Sequence, residues 1–167
     1  TVARQVHLLN RPSGMPKAED FTIVEAQLPD LKDGEILVKN HYMSVDPYMR
    51  GRMRAEGVYA EPYKLNAPMW GGALGEIIES KDPNLKPGDK VQSGGAWQDK
   101  FVAAGNTVGK FTPFDDDQTS LYLGTLGMPG LTAYVGLFKF GEPKAGETVF
   151  VSAASGAVGA NVCQIAK

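Results

Sequence analysis

The sequence predicts a protein of the mixed β and α/β class, in which a β-rich part precedes a strand, a glycine turn and a helix. Two observations carry this prediction. Roughly the first 110 residues hold short apolar runs separated by Pro- and Gly-bearing turns, a pattern typical of a small barrel or sandwich. The closing stretch, VFVSAASGAVGANVCQIAK (149–167), passes from a continuous apolar run through small residues to apolar residues at helical spacing.

The strand pattern recurs along the first part of the chain, and each run is bounded by turn residues such as Pro87-Gly88-Asp89. We expect strands within segments 4–9, 21–29, 35–45, 71–80 and 85–103. The pattern changes at DDDQT (115–119), where three carboxylates and Thr119 are typical of a helix N-terminus. The sequence thus predicts a β-rich domain over 1–118, and a helical connector with the first β–α unit of a second domain over 119–167.

Composition narrows the possible functions. The 167 residues are 43% hydrophobic and 22% charged with a net charge of −2, which is ordinary for a globular protein and gives no basic surface for nucleic acid. The sequence has no apolar run long enough to span a bilayer, and residues 1–10 lack a signal-peptide pattern. With the single Cys163 unable to form an internal disulfide, we expect a cytoplasmic protein without nucleic-acid or membrane partners.

A zinc site is not expected. Catalytic or structural zinc needs three or four Cys, His or carboxylate ligands at suitable spacing. The single cysteine lies far along the sequence from both histidines, His7 and His41, which fall in predicted strands without neighbouring ligand types. We therefore assign no metal ligands.

The glycine turn of the last segment has two interpretations. Gly156 and Gly159 match the second and third positions of the dinucleotide pattern G-x-G-x-x-G, whereas its first position is Ala154. Small residues ahead of a helix allow a phosphate to approach backbone N–H groups at the positive end of the helix dipole. The same glycines would equally allow the helix to pack closely on the preceding strand.

Three motifs in order resemble one protein family: SVDPYMRGRM (44–53), LGMPGLTAY (126–134) and GETVFVSAASGAVG (146–159). They are similar to the zinc-independent branch of the medium-chain dehydrogenases/reductases. That branch holds prostaglandin reductases (leukotriene B4 dehydrogenases), plant alkenal double-bond reductases and curcumin-reductase-like enzymes. The resemblance implies a GroES-like β-rich barrel domain followed by the start of a Rossmann domain. Because such proteins are about twice as long, it also implies the N-terminal part of a longer reductase.

The resemblance places Pro47 and Tyr48 in a loop against the nicotinamide end of the cleft. Tyr48 can donate a hydrogen bond to a substrate carbonyl, or it can be a packing aromatic that shapes the pocket. Asp46 and Arg50 are expected to hold the loop, through an ion pair or backbone hydrogen bonds. The segment AEGVYAEPYK (55–64) is interpreted as a rim loop.

The other two motifs imply further cofactor contacts. By the resemblance Met128 and Thr132 lie beside the nicotinamide, where Thr132 would bind the carboxamide. The alternative is a Met128-Pro129-Gly130 helix break followed by core packing, and for Gly130 a backbone role suffices. The pyrophosphate would lie over Ser155, Gly156, Ala157, Val158 and Gly159. The cofactor implied is NADPH.

The leading hypothesis is an NADPH-dependent reductase of α,β-unsaturated ketones or aldehydes that takes small hydrophobic enones or enals. The 167-residue chain alone is expected to be inactive and to bind NADPH weakly, and the full-length protein to be a homodimer. Alternatives are a quinone oxidoreductase of the same fold and a non-catalytic binding module. Trp70 and Trp97 flank glycine-rich segments, where they either line the cleft or pack in turns.

Overall fold

The chain divides into two compact units, Thr1–Pro113 and Phe114–Lys167. The computed structural model describes residues 1–56 and 60–167. Part of the rim loop expected at 55–64 therefore lies outside the described residues. No helix within the described ranges combines the length and the apolar character that crossing a bilayer requires.

The first unit is built from two antiparallel sheets. In the smaller sheet β1 pairs with β2 along its whole length, with Val6 opposite Ile23. The larger sheet has the strand order β6-β3-β4-β5-β7. An isolated bridge pairs Gln5 of the smaller sheet with Gln98, two residues before the larger sheet's strand β6. The strands are β1 (Val2–Leu8), β2 (Phe21–Gln27), β3 (Glu35–Met43), β4 (Ala73–Ser80), β5 (Lys90–Ser93), β6 (Lys100–Ala104) and β7 (Gly109–Lys110).

The core of this unit has two parts. The first lies on the large sheet, where buried β-branched and aromatic side chains meet across four strands; its members are Ile36, Val38, Ile77, Val91 and Phe101. The second joins β1 to the chain after β3 and consists of Leu8, Met49, Met53, Tyr63 and Met69. Tyr48 and Trp97 pack half-buried against this second part, so the core holds the residues after β3 in place.

The residues after Asp46 form a short helix, α1 (Pro47–Arg52). The prediction of a loop at this motif is therefore wrong. Asp46 is extended at the N-cap, and Pro47 occupies the first helical position, where its fixed φ suits a helix and its missing N–H costs nothing. Met49 is buried in the second core part. Burial of one face thus stabilises a helix whose six residues would be too short to form alone.

The second unit contains a 3₁₀ helix (Asp116–Leu123), α2 (Met128–Val135), a π-helical turn (Gly136–Gly141) and α3 (Ala157–Ile165). Helices α2 and α3 contact each other. Pro129 lies in the first turn of α2 and so helps to start this helix rather than break one. The helix expected after the glycine turn is confirmed.

The strand expected at 149–151 is not formed. These residues belong to no sheet among the described residues, and the Phe150 side chain is 89% exposed. A strand forms hydrogen bonds to a neighbouring strand, and an apolar run in the sequence does not by itself provide that neighbour.

Candidate functional site

Tyr48 lies on α1 at the edge of the second core part. Its ring is half-buried, and its centroid is 6.4 Å from that of Trp70, with the planes tilted by 37°. A Cβ built on Gly71 would lie 3.4 Å from the Tyr48 hydroxyl oxygen. At Gly71, ordinary van der Waals space thus separates such a Cβ from the side chain of Tyr48. Pro47, next to it, is exposed.

Arg52 is a residue that the sequence interpretation missed. It lies one turn after Tyr48 on α1 and is only 1% exposed. Its guanidinium carbon is 3.4 Å from the Trp70 ring centroid and 4.9 Å from that of Tyr63. Nε and Nη2 both donate to the Glu61 carbonyl oxygen. The sequence did hold a signal for this burial. Arg52 lies three residues after Met49 in the Pro-Tyr-Met-Arg-Gly-Arg helix, and residues three apart share one face of a helix.

The three rings form an aromatic cluster, defined here as Tyr48, Tyr63 and Trp70. Tyr63 meets Trp70 edge-on, with ring planes at 83° and centroids 6.2 Å apart. The Tyr63 hydroxyl donates to the Trp70 carbonyl oxygen at 2.9 Å. Trp70 itself is 49% exposed. The cluster thus has a fixed, buried side and an open side.

Further arginines tie the backbone around the cluster. Arg11 donates from Nη1 to the Met53 carbonyl at 3.1 Å and from Nη2 to the Tyr63 carbonyl at 2.9 Å. Arg50 donates to the Pro12 carbonyl at 3.3 Å, whereas Asp46 accepts from the Ser44 hydroxyl at 2.9 Å. Of the two roles expected for Arg50, the backbone hydrogen bonds are present and an ion pair with Asp46 is not.

Trp97 packs into the core rather than beside Trp70. Its backbone has φ of 61°, which is rare for a bulky residue, and its carbonyl accepts from the Val6 N–H at 2.8 Å. The indole Nε1 is buried without a hydrogen-bond partner in the described part of the chain. The ring also forms one wall of a groove of about 310 Å³ that includes Ile23 and Tyr42.

The glycine turn of the second unit is open. Residues 152–158 are exposed, and Gly159 is buried. A Cβ on Gly159 would collide with the Ala153 carbonyl, so only glycine allows α3 to approach the turn this closely. Gly156 is the N-cap of α3, and its N–H donates to the Ala153 carbonyl at 3.0 Å. The first N–H groups of a helix have no intrahelical acceptors, and here the side chains of Ser155, Ala157 and Val158 are small enough to leave them accessible.

Met128 and Thr132 lie one turn apart on α2, and both are exposed. The Thr132 hydroxyl donates to the Met128 carbonyl at 2.7 Å. Its proton is therefore engaged, while the oxygen lone pairs can accept from an amide. Gly130 is buried, and a Cβ there would collide with the Thr125 carbonyl, in keeping with the backbone role expected for it.

One group of ionised side chains in the first unit lies on its large sheet. Glu76 accepts from the Lys90 ammonium at 2.7 Å, and His41 Nε2 is 3.7 Å away. The hydrogen bond from Lys90 lowers the pKa of Glu76 below its usual value. No group of three potential metal ligands occurs within 1–56 and 60–167. These charges stabilise strand pairs and lie outside the aromatic cluster.

The predicted site residues fall in both units. Pro47 and Tyr48 belong to the first, whereas Met128, Thr132 and the turn Ser155–Gly159 belong to the second. The first unit thus carries a phenol beside an exposed aromatic side chain, and the second carries an open helix N-terminus with small residues.

The geometry can be set beside known proteins. Residues 4–111 match the family described as the N-terminal domain of oxidoreductase. The NADPH-dependent curcumin reductase of Escherichia coli is 42% identical over 160 residues, covering 96% of this chain and 46% of that protein. The NADP⁺-dependent 2-alkenal reductase of Nicotiana tabacum is 43% identical over 170 residues, covering 98% and 49%.

A solved structure, CurA from Vibrio vulnificus in complex with NADPH, superimposes with a TM-score of 0.89 and 40% identity, covering 97% of this chain and 48% of CurA. The mixed β and α/β class expected from the sequence is thereby confirmed. The chain spans about half the length of the relatives it matches.

Proposed function

This chain belongs to the oxidoreductase family whose N-terminal domain its residues 4–111 match, and from that premise we propose an NADPH-dependent reductase of C=C bonds. The substrates are α,β-unsaturated ketones and aldehydes. Relatives named for curcumin and 2-alkenal reduction support this choice. Residues 1–118 form the GroES-like catalytic domain, and 119–167 form the connector and first β–α unit of a Rossmann cofactor domain. The full-length protein is a cytoplasmic homodimer.

The turn before α3 fits a nucleotide diphosphate. It is exposed, and its side chains from Ser155 to Val158 are small and uncharged. Gly159 brings the helix start against the Ala153 carbonyl, which keeps the first N–H groups of α3 close to the turn. Backbone N–H groups and the helix dipole together attract an anion. Ser155, Gly156, Ala157, Val158 and Gly159 would hold the diphosphate, and Met128 and Thr132 the nicotinamide amide.

NADPH supplies a hydride when bound. Addition of hydride to the β-carbon of an enone would gather negative charge on the carbonyl oxygen, and protonation of the α-carbon would complete the reduction. The Tyr48 hydroxyl is the group of this chain suited to donate a hydrogen bond to that oxygen, because a donor aimed at developing charge lowers the barrier. Pro47 fixes the start of α1 and with it the direction of the phenol.

The observation that carries this proposal is the half-buried Tyr48, whose ring centroid lies 6.4 Å from that of the exposed Trp70 ring. The exposed indole beside Tyr48 offers aromatic surface of the kind that a site for a hydrophobic enone needs.

The test is turnover of the full-length protein with NADPH and a panel of simple enones, 2-alkenals and quinones. We expect oxidation of NADPH with formation of the saturated carbonyl product, at higher kcat/KM for enones than for quinones. Faster turnover of quinones would favour a quinone oxidoreductase. No oxidation above background with any acceptor would contradict the reductase and favour a binding role.

A further inference from the structure

The indole of Trp70 has one covered face and one free face. The Arg52 guanidinium lies 3.4 Å from the ring centroid, and because Arg52 is 1% exposed this side of the ring is closed. Trp70 nevertheless keeps 49% of its surface exposed. That exposure lies on the parts of Trp70 that Arg52 does not cover, which include the opposite face and the edges of the indole.

This free face is held rigidly. The Tyr63 hydroxyl donates to the Trp70 carbonyl at 2.9 Å, and its ring packs edge-on against the indole. Arg52 is in turn fixed by its bonds to the Glu61 carbonyl. A stacking surface that is already ordered costs little entropy when a ligand lies on it. Trp70 also borders a cavity of about 230 Å³, which places the ring at a concavity of the surface.

The buried cation changes the electronic character of the ring. Within the part of the chain that the structure describes, no carboxylate forms an ion pair with Arg52. Its charge is balanced by the Glu61 carbonyl and by two aromatic faces. A cation over one face of an indole draws π density toward itself, so the free face is less negative than that of an isolated indole. Such a face prefers an electron-rich aromatic partner.

We propose that the free face of Trp70 is the subsite for the conjugated substituent of the substrate, and that it selects enones bearing an electron-rich aryl group over aliphatic enones. The assignment rests on the proposed function. With the carbonyl oxygen at Tyr48, a planar aryl enone can extend over Trp70, whose centroid is 6.4 Å from that of Tyr48. An alkyl chain gains no stacking there.

The experiment uses full-length protein, wild type and three variants: Trp70→Leu, Trp70→Phe and Trp97→Phe. Two readouts are compared for matched aryl and alkyl compounds. The first is kcat/KM for 4-(4-methoxyphenyl)but-3-en-2-one and for an aliphatic enone of similar length. The second is the inhibition constant of the corresponding saturated ketones, which report binding without chemistry.

For the aryl compounds, we expect Trp70→Leu to lower kcat/KM and to raise the inhibition constant about three- to tenfold, as loss of an aromatic pair implies. For the alkyl compounds, both quantities should change less than twofold. Trp70→Phe should keep most of the preference, and the control Trp97→Phe should keep all of it. Equal loss for aryl and alkyl compounds, or no aryl preference in the wild type, would overturn the subsite. A wild type that binds the saturated aryl ketones but reduces no enone would instead contradict the proposed reductase function.

Discussion

The guanidinium carbon of Arg52 lies 3.4 Å from the centroid of the Trp70 ring. The contact joins a fully buried cation to a half-exposed indole. Burial of a charge is costly unless hydrogen bonds or other charges compensate it, and here the Glu61 carbonyl and the faces of Trp70 and Tyr63 do so. The pair connects the folding of α1 to the surface on which we place the substrate.

Replacing Arg52 should destabilise the first unit. Lysine keeps the charge but loses the planar stacking and the paired donors to the Glu61 carbonyl. We therefore expect both Arg52→Lys and Arg52→Met to lower the free energy of unfolding by about 1–3 kcal/mol. Urea denaturation measures the change. Full stability of the lysine variant would show that charge alone matters and that the stacking contributes nothing.

The hydroxyl of Tyr48 should matter for chemistry more than for binding. Removing a donor to a developing oxyanion lowers kcat by about 10²–10³, so Tyr48→Phe in the full-length enzyme should reduce kcat with little change in KM. Steady-state kinetics with one enone checks this. If Tyr48→Phe keeps full activity while Tyr48→Leu loses it, Tyr48 is a packing aromatic that shapes the pocket.

A side chain at Gly71 should strain the packing of buried Met49. A Cβ there would lie 2.5 Å from Met49 Cε, so this side chain would have to move. Overpacking of this kind costs about 1–3 kcal/mol, which Gly71→Ala should show as a lowered urea midpoint. Gly94→Ala is the matched control, since a Cβ at that position has nothing within 4 Å. Equal effects of the two variants would mean that Met49 relaxes freely.

Gly159 should be needed for the cofactor. A Cβ at this position collides with the Ala153 carbonyl and would push the turn away from α3. We expect Gly159→Ala to weaken NADPH binding by the full-length protein about tenfold or more, because the N–H groups no longer converge. Calorimetry measures the affinity. Gly136→Ala, where a Cβ meets nothing within 4 Å, should bind as the wild type does; unchanged affinity of Gly159→Ala would refute the phosphate assignment.

Asp89 should make the first unit sensitive to acid. Hydrogen bonds from the Lys110 ammonium at 2.9 Å and the Lys86 N–H at 3.0 Å lower the pKa of Asp89 below its ordinary 3.8. A carboxyl group whose pKa falls on folding stabilises the folded state at pH values above its pKa in the unfolded chain. For Asp89 this stabilisation is lost as the pH falls through 3.8 toward the lower pKa of the folded state.

Asp89→Asn should therefore be less stable than the wild type at pH 7 and should lose less stability between pH 5 and pH 3. Urea midpoints across that range check this expectation. Asp33→Asn, at an exposed position, controls for the loss of one negative charge. If Asp89→Asn loses as much stability between pH 5 and pH 3 as the wild type does, other carboxyl groups dominate the acid sensitivity.

The sequence by itself determined the elements whose signal is local. The apolar period of the segments before residue 105 predicted strands β1 to β6, whereas β7 lies outside the predicted segments. The small residues before Val158 predicted the turn and α3. The ordered motifs indicated the family, and residues 4–111 bear it out. These signals need no knowledge of distant contacts, because periodicity and turn chemistry are properties of neighbouring residues.

Tertiary structure decided the features that depend on distant partners. The Pro47–Arg52 segment became a helix because Met49 could be buried against Leu8 and Met69. The run at 149–151 did not become a strand because no neighbouring strand pairs with it in the described residues. Arg52 and Trp70 are 18 positions apart in the sequence, and neither residue type predicts the other. A stacked pair arises only when the fold brings both groups to one place and excludes water from one side.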